Sequence, residues 1–314
     1  MSATVAVSNM IWYHSKNSEW EDSVSLSTTE PLFLVSFTSL QTIIGSLWNG
    51  FVIITFLAAR ELRRRPSDLF ILNLAVADLI FLTTFQPWLT HVLNQKAVIT
   101  FEARYYFYES LREFVNLSSQ HALMLIAIDR LIALVLPLRY KTLLTRKVIY
   151  ILVIISWIFS LLIGLVNYFA YVLKFYLKFL VFWTFFQLVL MLGIILIYTF
   201  IFTTTLKKIR KSLRQGRAFH LQNEHIRYRT VFKITLNTMI LVCLFYATFL
   251  PLLIYIGHSS LENEDQMVTR SWIYSFSSLN NCINPFIYAL RTKRFKKASY
   301  RFWCNITYRT STIN

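Results

Sequence analysis

A chain of 314 residues that is 56% hydrophobic and only 15% charged, against roughly 25% charged in an ordinary soluble domain, carries more apolar surface than a water-soluble fold of this size buries. That arithmetic argues against a soluble globular enzyme, and it excludes intrinsic disorder, which requires few apolar groups. The net charge of +17 has the sign expected of a nucleic-acid binder, so its meaning depends on where the charges sit.

About 20 mostly apolar residues cross roughly 30 Å of hydrocarbon. That window predicts seven spans, from Leu32 to Ala59, Leu69 to Leu93, Tyr105 to Leu136, Val148 to Tyr168, Phe179 to Leu206, Val231 to Ile256 and Ser271 to Leu290. The stretch from Val148 to Leu206 has only Lys174 and Lys178 as charges. It is too long for one span and reads as two helices joined by a short outer hairpin at those lysines. The organisation is then an N-terminal tail over 1–31, a bundle over 32–290, and an amphipathic segment with a short tail over 291–314.

Of the 32 basic residues, 23 fall in the loops and tail on the side away from the N-terminus, six on the opposite side, and Arg112, Arg130 and Lys233 inside spans. Short loops rich in Lys and Arg stay cytoplasmic, which places the N-terminus outside. Most of the positive charge is thus a cytoplasmic collar facing anionic lipid rather than a nucleic-acid footprint. The first 31 residues have no apolar core suited to a cleaved signal peptide, so the first span is expected to act as an uncleaved anchor. The two Asn-x-Ser/Thr sequons, at Asn116 and Asn305, fall in a span and in the cytosolic tail, where no glycosylation is expected. Cys243, Cys282 and Cys304 offer no extracellular disulfide.

Ionisable groups inside spans are costly and therefore informative. At about 1.5 Å per residue, Asp78 lies roughly 16 Å from the inner face, and Ser119 and Asn280 reach a similar depth on the third and seventh spans. With Asn281, Asn284 and Asn49 they place one carboxylate and several neutral oxygens at one level, a donor set suited to a sodium ion or a proton. The same groups could instead only hydrogen-bond helices together. Pro87, Pro251 and Pro285 lie within spans, where each removes a backbone hydrogen bond and favours a kink.

These motifs, in this order, resemble a rhodopsin-like, class A G-protein-coupled receptor along nearly the whole chain. GSLWNG over 45–50 carries the family's first-helix Asn as Asn49, and LNLAVADL over 72–79 its second-helix acid as Asp78. Trp157 matches the fourth-helix tryptophan, Tyr198 the fifth-helix tyrosine, Phe245 and Pro251 the sixth-helix pair, and NPFIY over 284–288 the seventh-helix motif with Pro285 and Tyr288. Asp129, Arg130 and Leu131 occupy the D/E-R-Y position with Leu in place of Tyr. The resemblance implies an all-α membrane protein, a seven-transmembrane helix bundle with a short amphipathic eighth helix. It also implies a plasma-membrane location, a heterotrimeric G protein as partner, and no catalysis on the ligand. By the same resemblance Asp129 holds Arg130 at rest, Tyr198 and Tyr288 rearrange around it on activation, and Leu138 docks into the G protein. The run from Arg291 to Trp303 sets aromatic residues among basic ones as a membrane-surface helix does, and Cys304 follows as a palmitoylation candidate.

Departures from the family pattern bear on the ligand. Tyr105 stands where a third-helix cysteine is usual, Leu190 replaces the fifth-helix proline and Phe249 the sixth-helix tryptophan. Absence of both the disulfide and that proline is similar to the melanocortin, lysophospholipid and cannabinoid receptors. Arg112 occupies the position of the aminergic aspartate, and Ser278 that of the retinal-binding lysine, which argues against a simple amine and against a photopigment. Lying about 27 Å outward of Arg130, near the outer mouth and beside Glu113, Arg112 could pair with a ligand anion, with Glu113 and Asn116 as further ligand-site candidates. Phe182, Trp183, Phe186, Phe249, Leu252, Leu253, Tyr274 and Ser278 would then form an apolar wall. A lipid-like, small anionic or peptide ligand fits, as does mutual satisfaction of Arg112 and Glu113. No cofactor is expected beyond a sodium ion.

A polytopic transporter or channel is the alternative class. It would show repeated halves and a continuous polar path, whereas here the polar groups form separate outer, middle and inner clusters. An intramembrane enzyme lacks support, since the six histidines show no paired metal spacing within a span and no G-x-S-x-G occurs. Val231 stands where many family members carry an acidic partner for the motif arginine, so one resting restraint is missing. Ligand-independent signalling is therefore expected in transfected cells; a silent receptor at full surface expression contradicts it.

Overall fold

The computed structural model describes residues 29–64, 67–94, 103–214, 239–240, 242–251, 265–291 and 293–311, with positions 232, 236 and 254. In hydrocarbon every backbone N–H and C=O must be paired within its own segment, so each apolar run coils into a helix. Five helical segments are long and apolar enough to cross a membrane. Helix α1 is Thr29–Ala58, α2 Arg60–Arg63, α3 Asp68–Thr83, α4 Phe85–Asn94, α5 Ala103–Val135, α6 Tyr140–Leu143, α7 Arg146–Val172 and α8 Tyr176–Arg214. The described part of the sixth span is α9, Val242–Pro251; α10 is Asp265–Ser277, α11 Leu279–Arg291 and α12 Lys293–Ser311.

Among the described residues two spans are interrupted, neither at its proline. The second divides between α3 and α4 at Thr84, three residues before Pro87. A proline ring crowds the carbonyl one turn earlier, here that of Thr83, and Thr84 turns its own hydroxyl onto Ile80 O at 2.6 Å. The seventh divides between α10 and α11 at Ser278, while Pro285 lies inside α11. The hydroxyls of Ser277 and Ser278 both donate to Tyr274 O, at 2.9 and 2.8 Å, and Asn280 Nδ2 donates to Ser277 O at 3.2 Å. Side-chain hydrogen bonds compete there with the helix ladder, a local effect that the kink expected at Pro285 did not include.

The α7–α8 hairpin falls at the two lysines, as expected. Lys174 takes a left-handed conformation with φ of 60°, and Phe175 N donates to Ala170 O at 3.0 Å, which closes the C-terminus of α7 as glycine usually does. With Leu190 in place of proline, α8 runs unbroken for 39 residues. At 1.5 Å per residue it is about 58 Å long, so it outlasts the bilayer and carries its basic end, KKIRKSLR, beyond one face of it.

Helix α5 is the central column, packed against α3, α4, α7 and α8, while α1 packs on α3, α4 and α11. The outward faces of α7 and α8 expose large apolar side chains such as Ile154, Ile155 and Leu196, a surface suited to lipid. Trp157 Nε1 donates to Asn73 Oδ1 at 2.7 Å and ties α7 to α3. Beneath the bundle, α12 buries Phe295 and Ala298 and exposes Tyr300 and Trp303. Phe295 meets Phe51 of α1 edge-on at 6.0 Å, and Arg301 pairs with Glu61 of α2. All three cysteines are free.

Close approach of α5 and α7 depends on Gly164, where an added Cβ would lie 2.9 Å from Phe114 Cβ and 3.1 Å from Ser110 O. Gly164→Val is expected to destabilise the bundle by about 1–3 kcal/mol through overpacking, read as a lower unfolding temperature of the purified protein. Gly193→Val is the control, since its Cβ meets nothing within 4 Å, and its effect should stay within about 0.5 kcal/mol.

Candidate functional site

The buried polar groups occupy three levels. At the outer level α5 turns Glu109, Arg112 and Glu113 inward, three residues on adjoining turns of one helix. All three are buried, Arg112 to 4% exposure, so it lies inside the bundle rather than at the mouth that its depth alone suggested. Arg112 Nε donates to Glu109 Oε2 at 3.0 Å and its Nη2 to Glu113 Oε1 at 2.7 Å. The guanidinium also lies over the Tyr274 ring, 4.8 Å from its centroid. Tyr274 donates to Glu109 Oε2 at 3.3 Å, and Trp183 Nε1 donates to Glu113 Oε2 at 3.1 Å, which joins α5, α8 and α10 through one ionic cluster. Arg112 Nη1 is buried without a partner among the described residues.

Glu109 escaped the sequence reading, although its i, i+3 spacing from Arg112 is the available signal. So did the aromatic set above the cluster. Trp88 stacks on Tyr108 at 4.6 Å, and Phe85 meets Tyr274 edge-on at 6.3 Å. Among the expected wall residues, Trp183, Phe249, Tyr274 and Ser278 are buried, and Phe186 and Asn116 are half-buried. Phe182 is a correction: it is 60% exposed on the outward face of α8, because one residue from Trp183 is a 100° rotation about the helix. Leu252 and Leu253 lie outside the described residues.

At the middle level Asp78 of α3 is fully buried. Ser119 Oγ donates to its Oδ1 at 3.0 Å and Asn284 Nδ2 to its Oδ2 at 2.8 Å, which brings α3, α5 and α11 together as the depths required. Asn280 does not join them. Its amide donates to Thr248 Oγ1 and to Phe245 O at 3.2 Å, facing α9 instead. Asn281 contributes its backbone carbonyl, which accepts from Asn49 Nδ2 at 2.8 Å. A second network about two turns outward of it was not expected: Gln86 Nε2 donates to Gln41 Oε1 at 2.8 Å and Gln41 Nε2 to Ser275 O at 2.9 Å, linking α4, α1 and α10.

At the inner level Arg130 pairs with Asp129. Tyr140, beyond the Leu131 that replaces the motif tyrosine, donates its hydroxyl to Asp129 Oδ1 at 2.6 Å. Burial and the neighbouring Asp129 carboxylate push the Tyr140 hydroxyl well above its ordinary range, so it remains a donor throughout the physiological range. Lys208 of α8 donates to Leu134 O at 3.0 Å. Tyr198 and Phe245 are buried, Pro251 and Pro285 lie in their helices, and Leu138 is 93% exposed on the loop before α6. Tyr288 is in α11, with its side chain outside the described residues, as is Val231. Cys304 is exposed on α12. Replacing Asp129 with Asn removes the charge that holds Arg130. With a charge-assisted bond worth about 1.5–3 kcal/mol, ligand-independent nucleotide exchange on the G protein is expected to rise on the order of tenfold; an unchanged rate in isolated membranes speaks against the restraint.

Comparison with known proteins agrees with this arrangement. The family model described as 7 transmembrane receptor (rhodopsin family) matches residues 48–288. Cannabinoid receptor 2 of Mus musculus is 26% identical over 297 residues, covering 87% of this chain and 82% of that protein. The olfactory receptor-like protein OLF4 of Canis lupus familiaris is 26% identical over 85% of this chain and 88% of its own length. Neuropeptide receptor 15 of Caenorhabditis elegans reaches 32% identity over a shorter stretch, 40% of this chain and 37% of that protein. With three tiers of polar contacts at the depths that its motifs demand, and a family match across most of its length, the chain belongs to the rhodopsin family of seven-transmembrane G-protein-coupled receptors.

Proposed function

We propose that the receptor lies in the plasma membrane with its N-terminus outside and reports a lipid-like ligand to a heterotrimeric G protein. The observation that carries the ligand class is the state of Arg112. Two carboxylates already engage its guanidinium, so a full anion would have to compete with both, whereas Nη1, unpartnered among the described residues, can donate to a neutral carbonyl or hydroxyl oxygen. Trp183 and Tyr274, which touch the same cluster, and Phe249 are all buried, side chains that suit an apolar body. The relatives support a lipid over a peptide, since a cannabinoid receptor matches along most of the chain and the neuropeptide receptor over less than half. Binding acts by favouring the state in which Arg130 leaves Asp129, and the chemistry then belongs to the G protein.

Asp78 with Ser119 and Asn284 is proposed to hold a sodium ion. The residues fit: one fully buried carboxylate, a hydroxyl and a carboxamide converge, and no basic side chain pairs with Asp78 among the described residues. Oxygen donors suit a hard cation. Asn280 and Asn281, turned elsewhere, are left out of this set.

Nucleotide exchange in membranes of transfected cells tests both parts. Arg130→Ala is expected to reduce basal and ligand-driven exchange to the level of untransfected membranes; unchanged signals contradict the coupling route. Replacing sodium chloride with N-methylglucamine chloride is expected to raise basal exchange in the wild type. Asp78→Asn should respond to neither salt differently, and a retained sodium effect in that variant contradicts the site. For the ligand, Arg112→Ala at normal surface expression is expected to weaken an active agonist at least tenfold.

A further inference from the structure

Below the ionic cluster, two buried glutamines have no use in anything described so far. Gln120 of α5 is 4% exposed and Gln187 of α8 is 2% exposed. Among the described residues neither the amide nitrogen nor the oxygen of Gln120 has a hydrogen-bond partner, and the same holds for Gln187 Oε1. Their placement follows from the helices that carry them. Leu117 and Trp183 pack in one apolar cluster between α5 and α8, and both helices run inward. Gln120 is three residues further along α5 and Gln187 four residues further along α8, so each lies one turn deeper, at a common level.

Gln120 also follows Glu113 by seven residues, two turns that return to the same helix face, roughly 10 Å inward. A buried amide left unpaired costs about 1–3 kcal/mol per group. Two leucines could fill the space without that cost, and a pair made only to join α5 to α8 would donate one to the other. Together with Arg112 Nη1, unpartnered among the described residues, the α5–α8 side of the bundle presents two separate hydrogen-bonding points, one at the ionic cluster and one about two turns deeper, with Leu117 and Trp183 between them.

We infer that Gln120 and Gln187 form a ligand subsite for a neutral group that both donates and accepts, a hydroxyl or an amide, borne partway along an apolar chain whose acceptor head group meets Arg112. The inference rests on the reading of the ionic cluster as the ligand site and specifies the ligand: an amphiphile with two polar points rather than a head group alone. A glutamine amide offers both donor and acceptor, which selects against a plain alkyl chain, because that chain would leave the amides unpaired. It also gives binding a route to α8, the long helix whose basic end reaches the cytoplasm.

Methyl stearate, its mid-chain hydroxylated analogue and the analogue with the hydroxyl next to the ester are suitable probes, titrated against the purified full-length receptor with unfolding temperature as the readout. The mid-chain hydroxyl is expected to stabilise at a concentration at least fivefold lower than the other two. In Gln120→Leu and Gln187→Leu the three probes should converge, and the unliganded variants should unfold no lower than the wild type. A lower unfolding temperature in both variants makes the amides a structural feature and overturns the subsite. Equal effects of the three probes on the wild type, no effect of any, or a hydroxyl preference that survives both substitutions overturns it too. Basal nucleotide exchange in wild-type membranes, lost in Arg130→Ala, reports the receptor reading separately, so failure of the probes with that exchange intact removes the subsite alone.

Discussion

Asp78 is the group on which the arrangement of the bundle turns, because a carboxylate at the centre of a bilayer cannot be left to hydrocarbon. It draws a serine from α5 and an asparagine from α11 onto its two oxygens, and in doing so sets the depth of three helices relative to one another. The neighbouring contacts extend the same requirement. Asn49 reaches the Asn281 carbonyl, Asn73 takes the Trp157 indole, and Gln41 and Gln86 join α1 to α4 and α10. Van der Waals packing between helices is not much better than packing against lipid, so specific polar contacts of this kind select one register among many.

Polarity is expensive at every depth, and the protein gathers much of it into hydrogen-bonded clusters. In the cluster on Arg112 a guanidinium is engaged by two carboxylates beside aromatic rings. In the cluster on Asp129 a carboxylate meets Arg130 and also accepts from Tyr140. Between them Asp78 ties three helices together. Signal can pass by rearrangement of packed helices without any solute crossing.

Much of this was legible in the residues themselves. Apolar run lengths located the spans, and a rise of about 1.5 Å per residue placed Asp78, Ser119 and Asn280 at one depth, with Asn284 on the face of Asn280, before any contact was seen. The misreadings share a cause. Phe182 and Asn280 lie at the right depth but point the wrong way, since depth depends on residue count alone and direction depends on which neighbour each helix face meets. The proline positions marked the second span as irregular, yet its break falls at Thr84, and the seventh breaks at Ser278, where serine hydroxyls capture the Tyr274 carbonyl.

Sequence alone therefore determined what local chemistry dictates: that the chain enters the membrane, how many times it crosses, and which family its motifs resemble. Tertiary structure decided which groups meet. Glu109 takes half of Arg112, Tyr140 stands beside Asp129 in place of a motif tyrosine, and the amides of Gln120 and Gln187 are buried at one level with atoms unpartnered among the described residues. Those outcomes depend on how helices far apart in the chain rotate and pack against one another. Hydrophobic transfer drives each segment into the bilayer whatever its neighbours, but the pairing of a buried charge or amide depends on the neighbours entirely.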